Sequence, residues 1–231
     1  MPVSKISVFK GRTVNIGNYI APVVRHRFQF ACDRWKCQYF EWTNPIENTF
    51  EGCARFRIPE QIGAGHTILL LDGDMLISKE CPSPFDLCIE NDAVYVSTAW
   101  SGFVVNDQGY RTGAYTIPLE SVSRIVPASV VKWPPIEDFF NSGFALFRTT
   151  QGVLNLFHQM SEVPIKPNWS PDDQAMFNLM LFNSENIKTI WLPVTWNYMY
   201  DGKPEHINDY FIVHFGGGPS HEMLKTMKID V

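Results

Sequence analysis

The sequence has no apolar run long enough to cross a bilayer, and its opening residues lack the long apolar stretch of a secretion signal. A soluble, cytoplasmic protein without a transmembrane segment is therefore expected. Basic residues are not in excess. Lys and Arg number 19 against 24 Asp and Glu, giving a formal net charge of -5, which argues against a nucleic-acid partner. Cysteines are few and odd in number (Cys32, Cys37, Cys53, Cys81, Cys88), and Cys32-x4-Cys37 has no second close pair with which to build a zinc knuckle. Free thiols in a reducing compartment are the simplest account. Charged residues make up only 19% of the chain against 45% hydrophobic ones, which excludes a disordered polymer. No internal repeat, low-complexity tract or long linker divides the 231 residues, so a single α/β domain with a sizeable core is expected over 1–231.

What is present centres on Thr67-Ile-Leu-Leu-Leu-Asp72-Gly73-Asp74-Met75. A short continuous apolar run of this kind reads as a strand buried on both faces of a mostly parallel sheet. In open α/β sheets, ligands sit beyond the carboxyl ends of such strands. Asp72 and Asp74 are two residues apart, so in extended backbone their side chains leave on one side, and Gly73 clears the space between them. Two hard oxygen ligands suit Mg²⁺ or Mn²⁺ carrying a diphosphate. Asp-Gly-Asp is also ordinary turn chemistry.

Along the chain, Ile6 to Val14 reads as a first strand. An amphipathic helix follows from Gly17 or Asn18, with Ile20, Val24, Phe28, Ala31 and Trp35 at helical spacing. Gln38–Trp42 reads as a second strand. A helix from about Thr49 to Ile62 carries Arg55 and Arg57, with Pro59 kinking it or marking its last turns. With the Asp72 strand, this is the β-α-β-α-β opening of a nucleotide-binding half, about residues 1–97. Residues about 98–231 form an acceptor-side half and a closing strand. Ala93–Ser97 reads as a strand at the end of the first half, and loops and short strands follow it up to Glu137. Asn141-Ser142-Gly143 turns into an apolar strand, Thr149 or Thr150 caps a helix over Gln151–Met160, and a further helix opens near Pro171 and runs to Phe182. Tyr210–Phe215 delivers His214 to a strand end, and the backbone N–H groups of Gly216, Gly217 and Gly218 offer an anion-binding nest.

Five short motifs fall in one order. Ala54-Arg55-Phe56-Arg57 precedes Leu70-Leu71-Asp72-Gly73-Asp74; Asn141-Ser142-Gly143 and Asp173-Gln174-Ala175-Met176-Phe177-Asn178 follow; His214-Phe215-Gly216 closes the set. In this the chain, from roughly Asn18 to Lys225, resembles the GT-A-fold glycosyltransferases, above all glycosyltransferase family 8 and its relatives. The resemblance implies a metal-dependent, retaining transferase that moves a sugar from a nucleotide-diphosphate sugar, a UDP-sugar, to a glycan or glycoprotein acceptor. It implies that Asp72, Asp74 and His214 hold Mn²⁺ (or Mg²⁺). Asn18, Tyr19, Arg55, Gly73, Asn141, Gly216, Gly217 and Lys225 would contact the donor, and Asp173 and Gln174 would lie near the reacting carbon. Two departures stand out. Ile16 occupies the place of the family's base-reading aspartate, and the Pro-Trp that should follow the histidine is missing. Those departures keep open a non-catalytic carbohydrate-binding protein on the same fold. A sugar nucleotidyltransferase ranks lower, because Val14-Asn-Ile-Gly17-Asn is a poor phosphate loop.

Overall fold

A computed structural model of the chain describes residues 4–10, 17–42, 53–97, 103–106, 109–112, 115–117, 132, 134, 140–162, 173–200 and 202–215. The elements are β1 (Ser4–Lys10), α1 (Gly17–Trp35), β2 (Gln38–Trp42), a 3₁₀ turn (Cys53–Arg57) running into α2 (Ile58–Ile62), β3 (His66–Asp72), β4 (Met75–Ile77) and β5 (Ala93–Ser97). Then come β6 (Phe103–Asn106), β7 (Gly109–Thr112), β8 (Tyr115–Ile117), β9 (Phe144–Arg148), α3 (Gln151–Ser161), α4 (Asp173–Phe182), β10 (Lys188–Leu192), β11 (Tyr198–Met199) and β12 (Ile212–His214).

The main sheet has the order β10-β5-β9-β3-β1-β2. Its pairings are parallel except at β9, which runs antiparallel to both β3 and β5. As expected of a strand covered on both sides, β3 is apolar throughout its centre. Ile68 and Leu70 join the cluster of Phe56, Phe147, Phe157 and Phe177 under the 3₁₀ turn, α3 and α4. Leu69 and Leu71 face the opposite way, toward Val24, Phe28 and Trp35 of α1. Each fully buried Leu or Phe contributes about 2 kcal/mol by removal of apolar surface from water. Among the described residues there are two smaller sheets, β11-β12-β4 and β6-β7-β8.

Several expectations need correction. The first strand begins earlier than expected, at Ser4, and is described to Lys10; the rest of the span expected to Val14 lies outside the described residues. The helix expected from about Thr49 to Ile62 is instead a 3₁₀ turn followed by a short α-helix; residues 49–52 are not described. Pro59 neither kinks nor ends a long helix. It occupies the first turn of α2, where its missing N–H costs nothing. The closing strand is shorter than Tyr210–Phe215. The edge strand β10, with β4 and β11, was not anticipated.

Thr150, not Thr149, caps α3. Its Oγ1 accepts from the Val153 N–H at 3.3 Å, and its hydroxyl donates to Asp92. Thr149 instead ties the end of β9 to His66 at the start of β3. Thr150→Ala is expected to lower unfolding stability by about 1 kcal/mol through loss of the cap, measured by urea titration.

Cys32, Cys37, Cys81 and Cys88 are free thiols. Burial pushes Cys81 up to about 12 and Cys88 up to about 11, so both remain protonated, apolar wall residues. No helix among the described residues is long and apolar enough to cross a membrane.

Candidate active site

The site lies at the carboxyl end of β3. Asp72 is the strand's last residue, and the chain then turns at Gly73-Asp74 into β4. Contrary to the expectation from their spacing, the two carboxylates thus do not share a face of extended backbone. They converge because a turn folds the second back beside the first.

β4 pairs antiparallel with β12, setting Met75 opposite His214, and the Phe215 N–H donates to the Asp74 carbonyl at 3.1 Å. That pairing carries the imidazole across 140 residues of sequence to the acidic pair. His214 Nε2 lies 3.1 Å from Asp74 Oδ1. One ligand atom each from Asp72, Asp74 and His214 lies within 4.8 Å of the other two.

These residues fit a divalent cation. Two carboxylate oxygens and one imidazole nitrogen form a mixed hard and borderline donor set. The two carboxylates are each 23% exposed while the imidazole is 6% exposed, so the cluster is closed behind the ring and open on the acidic side.

Burial alone would push the His214 imidazole down, but the hydrogen bond and charge of Asp74, aided by Asp72, override it and hold the ring above its ordinary 6.5. A raised value means that the ring's ion pair supports the metal-free fold below the ordinary histidine value, and that this support is lost as pH rises through the raised one. Melting temperatures of the metal-free protein and of His214→Gln are therefore expected to converge on going from mildly acidic to alkaline buffer.

A second group adjoins the first. Arg55, in the 3₁₀ turn and buried, donates from Nη2 to Asp72 Oδ1 at 2.6 Å and from Nη1 to the Ser142 carbonyl. Its Nε stands 2.8 Å from Asp173 Oδ2, an ion pair without linear hydrogen-bond geometry. Asp173 and Gln174 open α4. Gln174 Oε1 accepts from Asn141 Nδ2 at 2.9 Å and from the Ser142 N–H at 3.0 Å.

The Asn141-Ser142-Gly143 corner stands here because β9 begins where β3 ends. Leu71 is opposite Phe144, and the Asp72 N–H donates to the Gly143 carbonyl at 2.9 Å. The contacts close a ring: Asp173 to Arg55 to Asp72, past Asp74 to His214, and through Asn141 to Gln174.

Of the residues expected at a site, the structure brings Arg55, Asp72, Gly73, Asp74, Asn141, Asp173, Gln174 and His214 together. Asn18 and Tyr19 lie in the first turn of α1, whose backbone alone is described there; Gly216, Gly217, Gly218 and Lys225 lie outside the described residues.

Two further asparagines brace the site. Asn178 donates to the Phe140 carbonyl and accepts from its N–H, both at 2.8 Å, so it clamps the approach to the corner. It falls four residues after Gln174 on one helix face, a spacing that points to a shared task. Asn197 donates to Asn141 Oδ1 at 3.0 Å. It lies in an irregular stretch that carries no signal of its own.

The model for glycosyl transferase family 8 matches residues 33–220. The chain belongs to glycosyltransferase family 8. As a family 8 chain it is a glycosyltransferase, and the acidic pair at Asp72 and Asp74 is of the family's D-x-D kind.

Solved structures show the same fold. One is a glycosyltransferase involved in glycosylation of the major capsid of PBCV-1 (TM-score 0.60, 14% identity), with 99% of this chain and 100% of that one covered. Another is the bifunctional glycosyltransferase WbbM (0.56, 12%), with 95% of this chain and 47% of that one covered. A third is the galactosyltransferase LgtC in complex with donor and acceptor sugar analogs (0.50, 12%), with 96% of this chain and 94% of that one covered. No curated protein matches the sequence.

Proposed function

We propose that this family 8 enzyme moves a sugar from a nucleotide-diphosphate sugar, a UDP-sugar, to a glycan or glycoprotein acceptor with retention of configuration, as one domain spanning 1–231. The observation that carries the reading is the convergence of Asp72, Asp74 and His214 at the carboxyl end of β3. These three residues would hold Mn²⁺ or Mg²⁺, and the imidazole nitrogen in the set favours Mn²⁺. A cation there supplies charge stabilisation for the departing diphosphate.

The chain's own groups divide the remaining work. Arg55 orients Asp72 and brings a fixed positive charge to the donor side. Gly73 keeps the turn between the carboxylates slim. Asn18, Tyr19, Gly216, Gly217 and Lys225 are assigned to the donor by the family pattern. Asp173 and Gln174 are assigned to the sugar's reacting carbon. Retention is favoured by the state of Asp173: its carboxylate is engaged by Arg55, and an inverting enzyme needs a carboxylate placed to take the acceptor's proton.

The test is transfer from a panel of nucleotide sugars with Mn²⁺, Mg²⁺ or chelator, followed by NMR of the product anomer. Transfer is expected with Mn²⁺, more weakly with Mg²⁺, and not with chelator. An inverted product, or equal rates with chelator, would overturn the retaining or the metal-dependent part respectively.

A further inference from the structure

The contacts behind His214 fix more than its position. Asn141 Oδ1 lies 2.9 Å from His214 Nδ1. The same oxygen accepts from the Gly143 N–H at 2.9 Å and from Asn197 Nδ2 at 3.0 Å. A backbone N–H can only donate, so the Asn141 atom facing Gly143 must be the oxygen and not the amide nitrogen. The other end of the carboxamide agrees. Asn141 Nδ2 donates to Gln174 Oε1, and that oxygen is identified in turn by the Ser142 N–H it accepts. An oxygen that only accepts requires a proton on His214 Nδ1. The neutral ring then carries its lone pair on Nε2, the nitrogen that faces Asp74.

Gly143 completes the arrangement. A Cβ built on it would stand 2.6 Å from His214 Cε1, 2.8 Å from His214 Nδ1 and 2.8 Å from Asn141 Oδ1. No side chain larger than hydrogen fits without displacing the imidazole.

We propose that Asn141 and Gly143 form the seat of His214: Asn141 holds the ring in the Nδ1–H tautomer, and Gly143 leaves the space that lets Nε2 reach the cation position. Both are positioning residues that act through His214. This reassigns the Asn141 oxygen from sugar contact to ligand orientation, and it rests on the reading of Asp72, Asp74 and His214 as a cation site. Outer groups of this kind change metal affinity about ten- to a hundredfold when removed.

The experiment compares the parent with Asn141→Leu, Asn141→Asp and Gly143→Ala. Mn²⁺ affinity is read by calorimetry, and the His214 tautomer by long-range nitrogen NMR on metal-free protein in alkaline buffer, where the ring is neutral. The parent is expected to show the Nδ1–H form. Asn141→Leu should lose that form and bind Mn²⁺ about ten- to a hundredfold more weakly. Asn141→Asp keeps an acceptor oxygen and should recover most of the affinity. Gly143→Ala should weaken Mn²⁺ by a similar factor with the fold retained. A parent ring in the Nε2–H form overturns the seat even where no variant folds. So does a folded Asn141→Leu that binds Mn²⁺ as the parent does. A parent that shows the Nδ1–H form, lost in Asn141→Leu, but has no affinity for Mn²⁺ supports the seat and overturns the cation site instead.

Discussion

Asp74→Ala is expected to lower sugar transfer at least about a thousandfold, equivalent to about 4 kcal/mol of lost transition-state stabilisation, while the protein stays folded. The side chain stands in the turn after β3, part-exposed and outside the apolar clusters, so its removal opens no cavity. Nor does it strand a buried charge. Without Asp74 the ring loses the main group that holds its value up, and burial then favours its neutral form. What is lost is one of the three proposed cation ligands and the partner that faces Nε2. Calorimetry with Mn²⁺ and a transfer assay on the same preparation check both halves. Unchanged transfer by a folded variant would remove the metal assignment.

Arg55→Met is expected to cost both stability and activity. Methionine keeps much of the apolar bulk of the arginine stem but none of its donors. The guanidinium binds Asp72, Asp173 and the Ser142 carbonyl at once and is 3% exposed. Breaking a buried pair costs about 3–5 kcal/mol, and the low end applies because both carboxylates keep about a fifth of their surface in water. A loss of about 3 kcal/mol in urea unfolding is therefore expected, together with loss of transfer. Mn²⁺ affinity separates two routes. If it falls, Arg55 works by orienting Asp72; if it holds, Arg55 works on the donor. A variant as stable as the parent would mean that water already satisfies the two carboxylates.

The parts of this fold that could be read from the sequence are those in which one residue's surroundings follow from its neighbours in the chain. β3 was legible because burial on both faces demands an unbroken apolar run. α3 was legible because a threonine cap and an amphipathic face are local properties. β10 was not: Lys188-Thr-Ile-Trp-Leu192 lies at a sheet edge, and Trp191 and Lys188 remain exposed, so neither an apolar run nor an alternation shows. β4 is only three residues long, and only its pairing with β12 makes it a strand.

The site divides the same way. The acidic pair announced itself, though the convergence comes from a turn and not from extended backbone. The need for glycine at position 143 was hidden, because the atom that would collide with a side chain belongs to a histidine 71 positions further on. Asn197 was hidden for the same reason, since its partner Asn141 comes 56 positions earlier.

The late arrival of β12 has a consequence for biosynthesis. A nascent polypeptide emerging from the ribosome can form the β1-β2 and β1-β3 ladders early, with both aspartates already displayed. It cannot complete the proposed cation site until His214 has cleared the exit tunnel and β12 has docked on β4. Asp72, Asp74 and His214 thus come together only late in synthesis, and stalled chains that end before β12 carry the acidic turn without its imidazole.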